Sequence, residues 1–388
     1  MTRYSIPLVL EPRGGIDALV VTLDAAGYRV VGPVVRDGVI AYADVVGGDD
    51  LPTGCGVAQQ PGRWRLEQGT DATRFGWTPG ADSWKQFVYP AHQEVLRVRR
   101  MDGTWTVAAP SLPDRPLALI GARGCELRAL EVLDGVLLDP DHPDPRYASR
   151  RADLFVVAVG CGVPSSTCWC TSMGGGPRPE HGYDVRLTEL DDPDGHRLLA
   201  EAGSDRGAEI LALLPGPAAT DVDMVAADSV MEHAAAQLPI RLPGPDLPGL
   251  LAATIDHPHW VEVAERCLSC GSCTLVCPTC FCSTIDDATA LTGDGSPPTE
   301  TVREQSWASC FQLDHSNLAG RPVRATTASR YRQWLTHKLQ TWPDQFGMLG
   351  CVGCGRCTTW CPAGIDLVEE TAVLIGAVSD DRPEERPT

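Results

Sequence analysis

The sequence predicts an α+β protein: a mixed α/β domain over residues 1–250, a mostly helical, cysteine-rich domain over 251–378, and a disordered tail over 379–388. Three observations carry that prediction. The stretch from "PLALIGA" through "CELRALEVLDGVLL" to "DLFVVAVG" reads strand, helix, strand, the pattern of a βαβ unit. Around 239–258, "PIRLPGPDLPGLLAATIDHP" concentrates proline and breaks the periodic pattern, which marks a boundary. Beyond it, helical patterns flank two copies of one four-cysteine phrase, "CLSCGSCTLVCP" from Cys267 and "CVGCGRCTTWCP" from Cys351.

The bulk numbers agree with two globular domains. A chain of 388 residues exceeds one average domain, and 43% hydrophobic residues is a globular proportion. The formal charge of −19, with no Lys/Arg-rich run, argues against a nucleic-acid partner. Only Lys85 and Lys338 are lysines, a usage that reads as genomic bias. The opening "MTRYSIPLVLEPRGG" has too short an apolar stretch for a secretory signal, and no window approaches the roughly twenty apolar residues of a membrane span. The expectation is a cytoplasmic protein with no membrane partner. In that reducing compartment 16 cysteines are seldom disulfides, which leaves metal or redox chemistry.

In order along the chain, residues 15–27 read as a helix, and "YRVVGPVVRDGVIAYADVV" alternates about Asp37-Gly38 as a β-hairpin. Residues 50–110, rich in Gly, Trp and Pro, read as loops with short strands. The βαβ unit follows, then strands at "YDVRLTEL" and "HRLLAEAG" and a helix near 206–214. In the second domain "HWVEVAER" reads as a helix entering the first phrase, "SRYRQWLTHKLQTW" as one between the phrases, and "IDLVEETAVLIGAV" as one after the second. The final "SDDRPEERPT" is polar throughout, as a solvated tail is.

Each cysteine of the second phrase follows its counterpart by the same interval, 351 − 267 = 84. An iron-sulfur cube offers four iron corners, each needing a soft thiolate in tetrahedral geometry. The spacing Cys-x2-Cys-x2-Cys winds a tight loop that turns three sulfurs inward; the glycines at 271, 353 and 355 let the backbone pass close, and Pro278 and Pro362 fix the exit. In the two-cluster ferredoxin pattern the fourth cysteine of each phrase ligates the other cluster. One [4Fe–4S] cluster is therefore expected on Cys267, Cys270, Cys273 and Cys361, and a second on Cys351, Cys354, Cys357 and Cys277. Zinc, the main rival, usually takes separated Cys-x2-Cys pairs, not a triplet followed by Cys-Pro. The long insert between the phrases suggests a helical, ferredoxin-like dicluster domain.

A third [4Fe–4S] cluster is expected in the first domain. Cys125 lies just past one strand of the βαβ unit and Cys161 just past the other. If those strands are parallel, a right-handed crossover brings both ends to one edge of the sheet, where ligand sites collect. Cys168 and Cys170 sit on the Gly-rich loop that follows, so four thiolates can converge; buried apolar packing is the alternative for the strand-end pair.

Other residues fall outside these sets. Cys280 and Cys282 of "CPTCFC" and Cys310 of "WASCF" read as packing residues, with lining the dicluster or substitute ligation as alternatives. Cys55 has no evident partner, and Lys85 and His92 of "SWKQFVYPAHQ" read as surface residues. Trp260, Trp307, Trp334, Trp342 and Trp360 supply aromatic bulk for a small core between clusters. The chain holds no G-x-G-x-x-G, Walker A loop, H-E-x-x-H or C-x-x-C-H, so no flavin, NAD, nucleotide or c-type haem is expected on it, and no catalytic residue. Its clusters are expected to carry electrons for a partner.

The chain resembles the iron-sulfur β subunit of cytosolic nickel-iron hydrogenases of the sulfhydrogenase or NADP-linked type, and equally the iron-sulfur electron-transfer subunit of the anaerobic sulfite reductase. The resemblance rests on "GARGCELRALEVLDGV", "DPRYASRRADLFVVAVGC", "TCWCTSMGGGP", "CLSCGSCTLVCPTCFC", "SRYRQWLTHKLQ" and "GCVGCGRCTTWCPAGID" and covers most of the chain. It implies a hetero-oligomer. The chain would relay electrons between a flavin- and NAD(P)-binding subunit and the small and large subunits of a hydrogenase, or, in the alternative, a sirohaem sulfite reductase catalytic subunit. Gly124 stands before Cys125 where proline is commoner in the family. An iron-sulfur redox sensor would need an output module that the motifs do not supply. A stand-alone reductase with its chemistry near Cys280, Cys282 and Cys310 is the remaining reading.

Overall fold

The computed structural model describes residues 6–376 apart from 70–71, 102, 111–113, 239–241, 244–245 and 290–298; the tail expected over 379–388 lies outside the described residues. Strand β1 (Leu8–Leu10) leads into helix α1 (Gly14–Ala25) and the hairpin of β2 (Arg29–Arg36) and β3 (Val39–Asp44). Its turn holds Asp37 and Gly38 at φ 51° and 74°, the left-handed pair that a two-residue hairpin turn needs. Next come β4 (Cys55–Gln60), β5 (Arg63–Gln68), the single turn α2 (Lys85–Val88), β6 (His92–Met101) and β7 (Thr104–Ala108). The segment expected as loops with short strands holds these four strands, the longest of ten residues. β5 and β7 alternate polar with apolar residues, but β6 is rich in Arg, Glu and Gln without such alternation.

The βαβ unit follows as β8 (Leu117–Ala122), α3 (Gly124–Leu137), α4 (Pro145–Ala152) and β9 (Phe155–Val159). After it run β10 (Val185–Asp192), β11 (Gly195–Ala202), α5 (Asp205–Leu211) and α6 (Asp221–Ala236). Seven strands make one sheet in the order β1-β11-β10-β9-β8-β2-β3. Its four middle strands are parallel and its outer pairs antiparallel. The expectation of parallel strands at 117–122 and 155–159 therefore holds.

Both faces of this sheet are buried. In β9, Phe155, Val157 and Val159 pack on one side with Leu19, Leu23, Ile210 and Leu211 of α1 and α5. Val156 and Ala158 pack on the other with Leu127, Leu130, Leu133 and Tyr147 of α3 and α4. A strand covered on two sides reads as a continuous apolar run, which is why "DLFVVAVG" was legible.

The second half holds α7 (Leu247–Ala252), α8 (His259–Arg266), α9 (Ser272–Leu275), β12 (Ser283–Thr289), β13 (Glu300–Trp307) and α10 (Thr327–Thr336). A π-helical turn, His337–Thr341, joins α10 to α11 (Trp342–Phe346), and α12 (Arg356–Thr359) and α13 (Leu367–Leu374) complete it. The insert between the phrases is not helical alone. It carries the β12–β13 hairpin, and β13 pairs antiparallel with β6, so the four-stranded sheet β12-β13-β6-β7 is shared by both halves. A buried cluster of Trp260, Phe311, Tyr331, Trp334, Leu335, Leu339 and Leu367 also takes in Trp169 and Met173 from the first half.

Candidate iron-sulfur centres

The two cysteine phrases fold alike. Ser269 and Gly271 in the first, Gly353 and Gly355 in the second, occupy left-handed backbone at matching positions, φ 51° and 77° against 67° and 73°. Each loop then enters one helical turn, α9 or α12, through the last of these residues. Two reversals within five residues coil the backbone so that three cysteines share one concave side. At Gly353 a Cβ would lie 2.7 Å from the Cys170 backbone nitrogen, and at Gly355 it would strike Thr167. Those two glycines thus serve the close approach of the 167–170 loop.

The fourth cysteine of each phrase joins the opposite three. Cys267, Cys270, Cys273 and Cys361 line one cavity with Phe311, Tyr331, Trp334, Ile365 and Leu367. Cys277, Cys351, Cys354 and Cys357 line a second with Trp169, Trp334, Thr279 and Lys338. Cys357 borders both cavities, so they are neighbours. Among the described residues no three His, Cys, Asp or Glu side chains converge on a point where one metal ion would sit. The four corners of a cube hold their thiolates further apart than the ligands of a single ion.

Three features of the chain fit a cube in each cavity. Burial pushes the thiols of Cys273 and Cys357 well up, with neighbouring cysteines adding to it, and pushes Cys351 up to about 12. Thiols so placed become thiolates only beside strong positive charge, which iron supplies. Trp169 Nε1, Trp334 Nε1 and the Tyr331 hydroxyl are buried donors with no hydrogen-bond partner among the described residues, and they belong to residues that line these cavities. Cluster sulfides and thiolates are acceptors of the kind such donors require. The Gly353 N–H already donates to Cys351 Sγ at 3.5 Å.

The four N-terminal cysteines gather beside the second cavity. Cys125 opens α3 at the end of β8, and Cys161 follows β9, held by its N–H to Pro177 O at 2.9 Å. Burial raises the Cys168 thiol, and Cys161 and Cys170 raise it further; Cys170 is pushed up to about 12 by burial and then by Cys161. Cys354 acts on Cys125, Cys168 and Cys170 alike, and Cys168 Sγ lies 3.8 Å from the Cys354 carbonyl. Trp169 N–H donates to Gly353 O at 2.9 Å, and Thr167 Oγ1 bonds Thr359 Oγ1 at 2.8 Å, pinning this loop to the second phrase. The Cys277–Cys351–Cys354–Cys357 group therefore adjoins both of the others. Cys270 is the one exposed cysteine among the described residues.

Several side chains take part that the sequence did not single out. The Arg356 guanidinium, buried, donates to Glu126 at 2.7 Å, to Gly80 O at 3.1 Å and to Asp82 O at 3.2 Å. Glu126 also accepts from Trp84 Nε1 at 3.1 Å. Lys85, expected at the surface, is buried: its Nζ donates to Cys277 O at 3.0 Å and Cys280 O at 2.9 Å and lies 3.6 Å from the Trp307 ring centroid. The expectation failed because a lysine's own neighbours in sequence say nothing of a partner 192 residues away. His92 is exposed, paired with Glu304, as expected.

Cys280 packs against Cys277, and the Cys310 thiol bonds the Cys282 sulfur, which draws Cys282 down to about 6 while Cys310 rises. These three thus border the dicluster. Cys55 starts β4 and reaches Thr53 O at 3.5 Å and Gln68 Oε1 at 3.6 Å. Of the five tryptophans, Trp260 and Trp334 are in the buried core of the second half, Trp342 packs with Ala129, Val132 and Val352, and Trp360 stacks on Trp64.

Comparison with known proteins fits this arrangement. A family model described as a 4Fe-4S dicluster domain matches residues 266–365, a span that contains both phrases. The β subunit of sulfhydrogenase 2 from Pyrococcus furiosus is 32% identical over 259 residues, 66% of this chain and 73% of the relative. No solved structure matches the chain.

Proposed function

The chain belongs to the family of sulfhydrogenase β subunits, and on that premise we propose that it is the electron-transfer subunit of a cytosolic nickel-iron hydrogenase complex. When bound, four-iron clusters supply one-electron storage and exchange. This chain's residues would hold three of them: one on Cys267, Cys270, Cys273 and Cys361, one on Cys277, Cys351, Cys354 and Cys357, and one on Cys125, Cys161, Cys168 and Cys170. The tryptophan, tyrosine and phenylalanine side chains around the first two would exclude water, and the tryptophan and tyrosine donors would be available to sulfur. A flavin- and NAD(P)-binding subunit would dock beside one of these clusters and the hydrogenase small subunit beside another.

The observation that carries this reading is the crossing of the phrases: each cavity is lined by the first three cysteines of one and the fourth of the other, with Cys357 bordering both. The sulfhydrogenase relative favours the hydrogenase partner over a sulfite reductase. Anaerobic purification from the native host tests it. The expected result is co-elution with hydrogenase large and small subunits and a flavoprotein; co-elution with a sirohaem protein instead would overturn it.

A further inference from the structure

The chain has two lysines, Lys85 and Lys338, and both are buried against the same loop, Cys277 to Phe281. Lys338 sits on the π-helical turn between α10 and α11 and lines the cavity of Cys277, Cys351, Cys354 and Cys357. Its Nζ donates to Thr279 Oγ1 at 2.7 Å, and that hydroxyl lies 3.2 Å from Cys277 Sγ. Lys85 approaches the loop from the other side, on the Cys277 and Cys280 carbonyls.

Neither ammonium faces a carboxylate among the described residues; their polar partners are carbonyls, one hydroxyl and, for Lys338, the Cys277 sulfur. A buried charge with no opposite charge is costly. Arg356, the other buried cation near this group, is already neutralised by Glu126. The missing counter-charge is therefore negative and lies within the cavity, where four thiolates around an iron-sulfur core would supply it. An electron added to such a core deepens its negative charge, and a fixed cation stabilises that state most in a low-dielectric surround. Among the described residues no basic side chain lines the cavity of Cys267, Cys270, Cys273 and Cys361; Arg330 stands behind its loop, at Ser269.

We propose that Lys338 and Lys85 are positioning residues that raise the reduction potential of the cluster on Cys277, Cys351, Cys354 and Cys357 above that of its dicluster partner, so that an electron shared by the two rests on this one. Lysine suits the task where arginine, used elsewhere in the chain, would not. Its compact ammonium turns three donors to partners at any angle, while a guanidinium fork needs a flat, wider site.

The inference rests on the cluster assignment above, and the test separates the two. Full-length wild-type, Lys338→Met and Lys85→Met chains, prepared anaerobically, are assayed for iron and acid-labile sulfide and then titrated under electron paramagnetic resonance. The expected result is unchanged iron and a shift of the higher-potential dicluster signal to more negative values. At the wild-type midpoint the ratio of reduced to oxidised cluster falls about tenfold in Lys338→Met, which for one electron is about 59 mV. Unchanged midpoints, or a shift confined to the lower-potential signal, overturn it. If Lys338→Met loses iron, Lys85→Met is read in its place; loss of iron from both overturns it as well. The cluster assignment fails separately, if Cys354→Ala retains wild-type iron and sulfide.

Discussion

Arg356 joins the two halves of the chain by charge. Its side chain is 2% exposed and that of Glu126 1%, and they meet at 2.7 Å between α12 and α3. Removing one partner leaves the other charged and dry, at a cost of about 3–5 kcal/mol. Arg356→Met should therefore lower the thermal unfolding midpoint sharply, and adding Glu126→Gln to it should restore part of the loss, a coupling that paired unfolding curves would measure. Cys354→Ala, in the same turn of chain, should remove one cluster and abolish NAD(P)H-linked turnover of the complex while dye-linked activity of the hydrogenase subunits persists; linked turnover at the wild-type rate would contradict its role. The cysteines were legible because ligation needs one residue type at fixed local spacing. Arg356, Glu126, Lys85 and Lys338 were not, because what defines them is burial against partners far away in sequence.

The phrase loops show how backbone conformation sets the site. Gly353 and Gly347 are both left-handed, at φ 67° and 69°, but a Cβ at Gly353 meets the Cys170 backbone at 2.7 Å while one at Gly347 meets open space. Alanine at either strains the backbone, by about 1 kcal/mol. At Gly353 it must also push the 167–170 loop away, so Gly353→Ala should lose iron from the N-terminal cysteine group and Gly347→Ala should keep it, read as iron per chain.

Helix α6 shows the opposite limit of legibility. Its buried stripe is Asp223, Ala227, Met231 and Ala234, too small and mixed for a periodicity argument, and the usable signal was its capping box, Thr220 with Asp223. The Thr220 hydroxyl and N–H, then Arg197, hold the Asp223 carboxyl down to about 2. An unfolded aspartate titrates near 3.9, so the folded value is the lower one. The stability Asp223 adds is thus complete above about pH 4 and is lost as pH falls towards about 2. Asp223→Asn should cost about 1–2 kcal/mol at neutral pH, with wild type and variant converging in acid.

Over the whole molecule, the two halves are fastened by a shared sheet, a shared aromatic core and three neighbouring thiol groups. The βαβ unit, the β2–β3 hairpin and the helices flanking the phrases were readable from pattern, since each buries a regular apolar face. The β12–β13 pair was not: its strands are largely polar, and β13 pairs with β6 some 200 residues away, as Glu300 does with Arg99. That long-range pairing ties the insert to the first half, and the phrases, 84 residues apart in sequence, line neighbouring cavities. The most direct measurement is iron and acid-labile sulfide per anaerobically prepared chain, with Mössbauer spectra on the same sample. About twelve of each, all in four-iron clusters, is the expected result; zinc in place of iron, or iron without sulfide, would contradict the account.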